Sequence, residues 1–235
     1  MPKETPNSEQ QIESSRLLNL VRAAAISPDD ARTLVERIIE QVRDRYPDEN
    51  HSQHQDRVAE MIVSRYSKWA SLSGGATALV GVVPGLGTVL VATGGAIGDA
   101  ALSMKFQVDM AMCLATAYGY DLNNEDARNL SLLIAAGGTL EKAGVSAGTR
   151  IASQAGVRLL RQYLKGAVLQ AIKELFKKLG IIFTRKALEK ALPFGIGVVV
   201  GATANYYLTR YVGREAIQWF RLDRESGGPE ATLGR

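Results

Sequence analysis

From Trp69 to Gly98 the chain runs for 30 residues without a charge, and Pro84 breaks the run near its middle. A helix needs roughly 20 uninterrupted apolar residues to cross a bilayer. Proline lacks an N–H and clashes with the preceding turn, and Gly85 and Gly87 flank it. The run therefore splits into Trp69–Val83 and Thr88–Gly98, neither of which alone reaches spanning length. The pattern predicts a helical hairpin with Pro84-Gly85-Leu86-Gly87 at its tip and a second arm continuing to Ala117. Such a hairpin suits the core of a helical protein, and it also suits insertion into lipid. The residues expected to touch lipid are Leu79, Val80, Val82, Val83, Pro84, Leu86, Val89, Leu90 and Val91. Gly81/Gly85 and Gly94/Gly98 have the four-residue spacing that lets helix backbones approach closely, in lipid or in a tight soluble core.

A length of 235 residues fits one domain with accessory segments. The hydrophobic fraction of 46% is ordinary for a globular chain, and mean hydropathy near zero argues against a polytopic membrane protein. The polar opening MPKETPNSEQQIESS has no apolar signal segment, and the single cysteine, Cys113, fits a reducing compartment. A cytoplasmic setting is the expectation. Cys113 lies in an apolar run and reads as a small buried residue.

The net charge of +4 is unevenly spread: residues 141–190 hold 11 basic and 3 acidic side chains. Arg158, Arg161, Lys165, Lys173, Lys177 and Lys178 form the expected basic surface. Cations beside a membrane-active segment attract anionic headgroups, each contributing about 1 kcal/mol near the surface. A solvated helix face explains the same residues without lipid.

Periodicity of 3.6 dominates, and no alternating strand pattern stands out. Residues 1–11 read as a tail and 12–60 as N-terminal amphipathic helices. Ser27-Pro28-Asp29-Asp30 is a helix start, with Ser27 as N-cap and Pro28 at the first helical position. That helix ends near Tyr46-Pro47, followed by a polar linker over 48–56 and a helix from about Gln55 to Ser71. Lys105 and Asp109, four apart, can pair on one helix face. Asp99 interrupts an apolar surface, and pairing with a distant cation is preferred to a polar cavity. Gly119 suits a left-handed helix end, with Asn123 or Asn124 as the next N-cap. A helix is expected from Glu125 to Ala136, stopped by Gly137-Gly138, then a helix of small side chains over 139–156. An amphipathic basic helix over Val157–Leu179, another over Ile181–Ala191, and an apolar segment from Pro193 follow. Ala191–Thr209 is uncharged over 19 residues, borderline for a span. From residue 223 the chain reads as a polar tail. The fold class expected is all-α: a helical bundle around a central Gly-rich apolar hairpin.

Motifs for catalysis are weak. Gly144-Val145-Ser146-Ala147-Gly148 matches G-x-S-x-G, but a nucleophile elbow needs a strand before the serine, and TLEKA reads as helix. Both histidines, His51 and His54, precede Ser146, against the hydrolase order. The two histidines near Asp48, Glu49 and Asp56 could hold a metal, yet a solvated linker explains them better. The hairpin tip lacks the lysine of a phosphate-binding loop. The basic block has no interleaved aromatics, so nucleic acid is the weaker partner. No catalytic residue, metal or cofactor is assigned.

Three landmarks resemble, in register and order, the bacterial EcsC family over about residues 60–222. They are the glycine-rich hairpin 74–99, the stop AYGYDLNNEDAR at 117–128, and the four-residue beat Pro193…Gly197…Gly201…Asn205…Thr209…Gly213…Ala216…Phe220. The resemblance implies a helical domain, here 61–222, found near membranes in bacteria, in a family named for a transporter-linked operon. It implies no catalytic residues. The expectation is a non-enzymatic cytoplasmic protein, peripherally bound to membrane lipid or to a membrane protein partner. A soluble interaction module, as a transporter accessory or effector partner, is the alternative, and a serine hydrolase a remote one.

Overall fold

The computed structural model describes residues 8–72, 83–85, 87, 96–145, 149–190 and 197–229. Among these residues the fold is all-α, with eight helices and no strand: α1 (Ser8–Ala24), α2 (Pro28–Arg45), α3 (His51–Ser71), α4 (Ala96–Ala117), α5 (Glu125–Lys142), α6 (Gln154–Leu164), α7 (Val168–Lys190) and α8 (Gly197–Glu225).

The helix α4 is the axle. Every residue from Ala100 to Ala115 is buried, polar ones included. A helix apolar on nearly all faces must be wrapped on all sides, and α1, α2, α3, α5, α7 and α8 all pack against it. The other helices are amphipathic and place one stripe inward: Ala31, Val35, Ile38 and Val42 on α2, and Val58, Ile62, Val63 and Tyr66 on α3. A single cluster of buried apolar side chains draws on all eight helices, so α1 and α2 belong to the same core as the rest.

Local signals fix most helix ends. Ser27 caps α2 by accepting from the Asp30 amide at 3.1 Å, with Pro28 following, as the sequence predicts. Gly119 takes φ of 90°, and the Gly119 and Tyr120 amides donate to Thr116 and Ala115 carbonyls, closing α4. Asn124 caps α5.

Several boundaries differ from expectation. The expected linker 48–56 is largely helix: Asn50 and Gln53 form a reciprocal capping box, so α3 begins at His51. Gly137-Gly138 does not stop α5, which runs to Lys142. A Cβ at Gly137 would lie 2.5 Å from Ile151 Cδ1, so this glycine makes room for a close neighbour inside the helix. The real stop is Gly144, at φ of 76°. The expected helix over 139–156 is therefore a helix end, a connection and the start of α6. The expected continuous helix Val157–Leu179 is broken: α6 ends at Leu164, and α7 starts at Val168 after Lys165-Gly166-Ala167 and runs through Gly180. Residues 8–11 are helical, and α8 continues past 222 to Glu225, with Asp223 buried.

Candidate functional site

Two features stand out among the described residues: a buried charged joint beside the Pro84 turn, and exposed cations on α6, α7 and the segment between them.

The joint begins with Lys105 and Asp109 on α4. Their spacing puts them on one helix face, and they do pair, at 2.5 Å, but with both side chains fully buried. Buried charges need further partners to offset lost hydration. Here those partners come from the α1–α2 junction. Lys105 Nζ donates to the Ala24 carbonyl at 2.7 Å, and the Ile26 amide donates to Asp109 Oδ1 at 2.9 Å. A cation at a helix C-terminus is favoured by the helix dipole, and Lys105 supplies it to α1 from another helix. Burial pushes the Asp109 carboxyl above its ordinary value, and the Lys105 ammonium opposes that shift.

The turn from the apolar run meets the same place. Val83 is buried, Pro84 half-buried, and Gly85 holds a left-handed φ of 70°. A Cβ on Gly85 would sit 2.2 Å from the Ala24 carbonyl oxygen, so only glycine lets the turn abut α1. Of the other expected lipid-contact residues, Leu79, Val80, Val82, Leu86, Val89, Leu90 and Val91 lie outside the described residues. Asp99 is exposed in the first turn of α4, where a carboxylate favours the helix N-terminus. Among the described residues no helix is long and apolar enough to cross a membrane.

The basic residues divide. Arg158, Lys165, Lys173 and Lys178 are exposed, and Lys177 is half-buried. Leu169, Lys173 and Lys177 follow one another at four-residue spacing along α7, and Leu169 is 47% exposed. Arg161 is a tie within the fold. Its guanidinium grips Asp223 Oδ1 at 2.6 Å and the Asp223 and Ser226 carbonyls at 3.0 Å each. The Tyr120 hydroxyl donates to the other Asp223 oxygen. This cluster joins α6, the α4–α5 connection and the end of α8, and the sequence offered no signal for it beyond the charges themselves.

A second charged cluster lies where α5, α8 and the 149–153 connection meet. Glu141 accepts from the Ile151 amide at 3.1 Å, from Arg150 at 3.2 Å and from the Tyr211 hydroxyl at 3.1 Å. Arg150 also reaches Glu215 at 3.7 Å. Burial and the neighbouring Glu141 push the Glu215 carboxyl upward.

A cleft of about 290 Å³ lies between α2 and the α4–α5 connection, with Arg32, Glu36, Tyr120 and Asp121 on its walls. His54 Nε2 lies 2.7 Å from the Tyr46 carbonyl, and His51 is exposed. Among the described residues no group of three or more His, Cys, Asp or Glu could hold a metal ion. Ser146 lies outside the described residues, and the chain before it is helical through Lys142, where an elbow requires a strand.

The EcsC protein family model matches residues 49–224, more than half of the chain. The chain belongs to the EcsC family. No curated protein and no solved structure matches it. The matched span opens at α3 and closes within α8, so α1 and the α1–α2 junction, which supply the Ala24 and Ile26 partners, precede it.

Proposed function

We propose that this EcsC protein is a non-enzymatic, cytoplasmic, peripheral membrane-binding protein that meets anionic lipid with the exposed cations of α6 and α7 and with the apolar Gly-rich run. What carries the reading is the pairing of two features: a 30-residue uncharged run, and a basic block whose Arg158, Lys165, Lys173 and Lys178 are exposed. Cations gather anionic headgroups, and an exposed apolar side chain such as Leu169 among them adds contact with the acyl boundary. Arg161 is excluded from the lipid-facing set, because its donors are committed to Asp223 and Ser226.

The test is co-flotation with vesicles of phosphatidylglycerol and phosphatidylcholine. Replacing Arg158, Lys165, Lys173 and Lys178 by Glu should reduce binding at least tenfold, since each cation contributes about 1 kcal/mol near an anionic surface. Binding should also fall with added salt. Flotation that is unchanged in the variant removes the electrostatic half of the proposal. Wild-type protein that stays monodisperse and ignores vesicles altogether favours a soluble interaction module instead.

A further inference from the structure

We propose that α1, with its junction to α2, is a detachable clasp on the EcsC domain, gripped by Lys105 and Asp109 and seated on Gly85, whose release frees the Gly85 turn from the Ala24 carbonyl. The purpose of that release rests on the membrane-binding reading; the clasp itself rests on the geometry.

The central helix of the domain carries two charges with no exposure to water. The bonds that complete them, to the Ala24 carbonyl and from the Ile26 amide, come from a segment that precedes the family-matched span. Within that span, Lys105 and Asp109 retain each other, but Asp109 Oδ1 loses the Ile26 donor and Lys105 loses the Ala24 acceptor. An apolar joint would hold α1 at least as well, because a buried ion pair gives back in desolvation much of what it gains in attraction. The charged joint has a different consequence. When it opens, both ions regain hydration, so opening there costs less than exposing an equal area of hydrocarbon. Units of a fold open locally at free energies below global unfolding, and a hydratable joint lowers that cost for α1.

The turn is tied into the same joint. The Ala24 carbonyl oxygen takes the Lys105 ammonium on one side and faces Gly85 on the other, at a distance that excludes any side chain there. Val83, two residues before Gly85, is buried. The remainder of the α1 grip is ordinary: Leu17, Leu18 and Val21 enter the core, α1 lies along α7 and α4, and Arg22 reaches Asn129 on α5 at 3.2 Å. Ala24 and Ile26 are buried too, so α1 is held by an apolar stripe, the Arg22–Asn129 bond and one hydratable joint beside the turn of the uncharged run; the joint is the place where opening of this segment starts.

Native-state hydrogen exchange on the full chain, at rising sub-denaturing guanidinium, tests the clasp. The amides of Leu17–Ala24 should exchange through their own opening, more readily than those of α4 and α5. Gly85→Ala should speed exchange in α1 at least tenfold and leave α5 unchanged. Should that variant fail to fold, the wild-type order of opening still decides. Exchange of α1 along the same free-energy line as α4 and α5 overturns the proposal. Vesicle flotation, run in parallel, separates the two readings. Independent opening of α1 with no vesicle binding keeps the clasp and removes the membrane role. Vesicle binding with α1 opening only in global unfolding keeps the membrane role and removes the clasp.

Discussion

Cys113 sits at 0% exposure on α4, with its Sγ 3.4 Å from the Tyr66 hydroxyl. Burial pushes the thiol up to about 12, so almost no thiolate, the reactive form, exists at neutral pH. A thiol reagent at pH 8 should leave the native protein unlabelled for as long as it stays folded and label it at the rate of global unfolding. Fast labelling of native protein would show that α4 is reachable. Glu215 offers a second single-residue test. Its carboxyl is raised above the ordinary 4.5 by burial and then by Glu141, with Arg150 opposing. The folded state therefore holds this proton more firmly than the unfolded chain does. Its contribution to stability is present below 4.5 and is lost as pH rises from 4.5 through the folded value. Glu215→Gln should flatten the decline in melting temperature over that window, and an unchanged profile would assign the pH dependence to other groups.

Adjacent glycines in α5 separate two roles that the residue type alone does not distinguish. A Cβ at Gly138 would meet Val212 at 3.5 Å, ordinary contact, whereas one at Gly137 would meet Ile151 at 2.5 Å. Gly138→Ala should raise stability by up to about 1 kcal/mol, the helix-propensity difference. Gly137→Ala gains the same propensity but forces the end of the Ile151 side chain to move, so its gain should fall short of that of Gly138→Ala. Chemical denaturation of the two variants checks the order. Read from sequence, Gly137-Gly138 signals a stop, because glycine is a poor helix residue; within the bundle, tertiary packing overrides propensity. The capping residues were legible for the opposite reason. Ser27, Gly119 and Asn124 act through bonds to backbone within a few residues, which sequence spacing specifies. The start of α3 is not legible in the same way, because Asn50 and Gln53 form their box amid a polar, linker-like composition. Asn50→Ala should cost about 1 kcal/mol.

For the whole molecule, the Asp223 cluster shows how distant segments are tied. The Asp223 side chain is 3% exposed and that of Arg161 36%. Arg161→Ala leaves a buried carboxylate with only the Tyr120 hydroxyl, and should cost about 2–3 kcal/mol in denaturant melts. Arg161→Lys should recover little, since one ammonium does not span the Asp223 carboxylate and the Asp223 and Ser226 carbonyls as the planar guanidinium does. Loss in both variants of no more than a few tenths of a kcal/mol would mean the tie is not structural. The sequence by itself determined the helical class, most local caps, the Lys105–Asp109 pairing and the EcsC likeness of the central and C-terminal segments. The class, the caps and the pairing follow from periodicity and from spacings of four residues or fewer, where chain geometry leaves few choices; the likeness rests on three landmarks in order along the chain. Only the tertiary structure decided that Lys105 and Asp109 are buried beneath the α1–α2 junction, that Gly85 abuts Ala24, and that Arg161 is a tie to α8. Each joins residues more than 50 positions apart. No local pattern encodes such meetings, because the packing of the whole bundle selects which surfaces touch and which charges leave water.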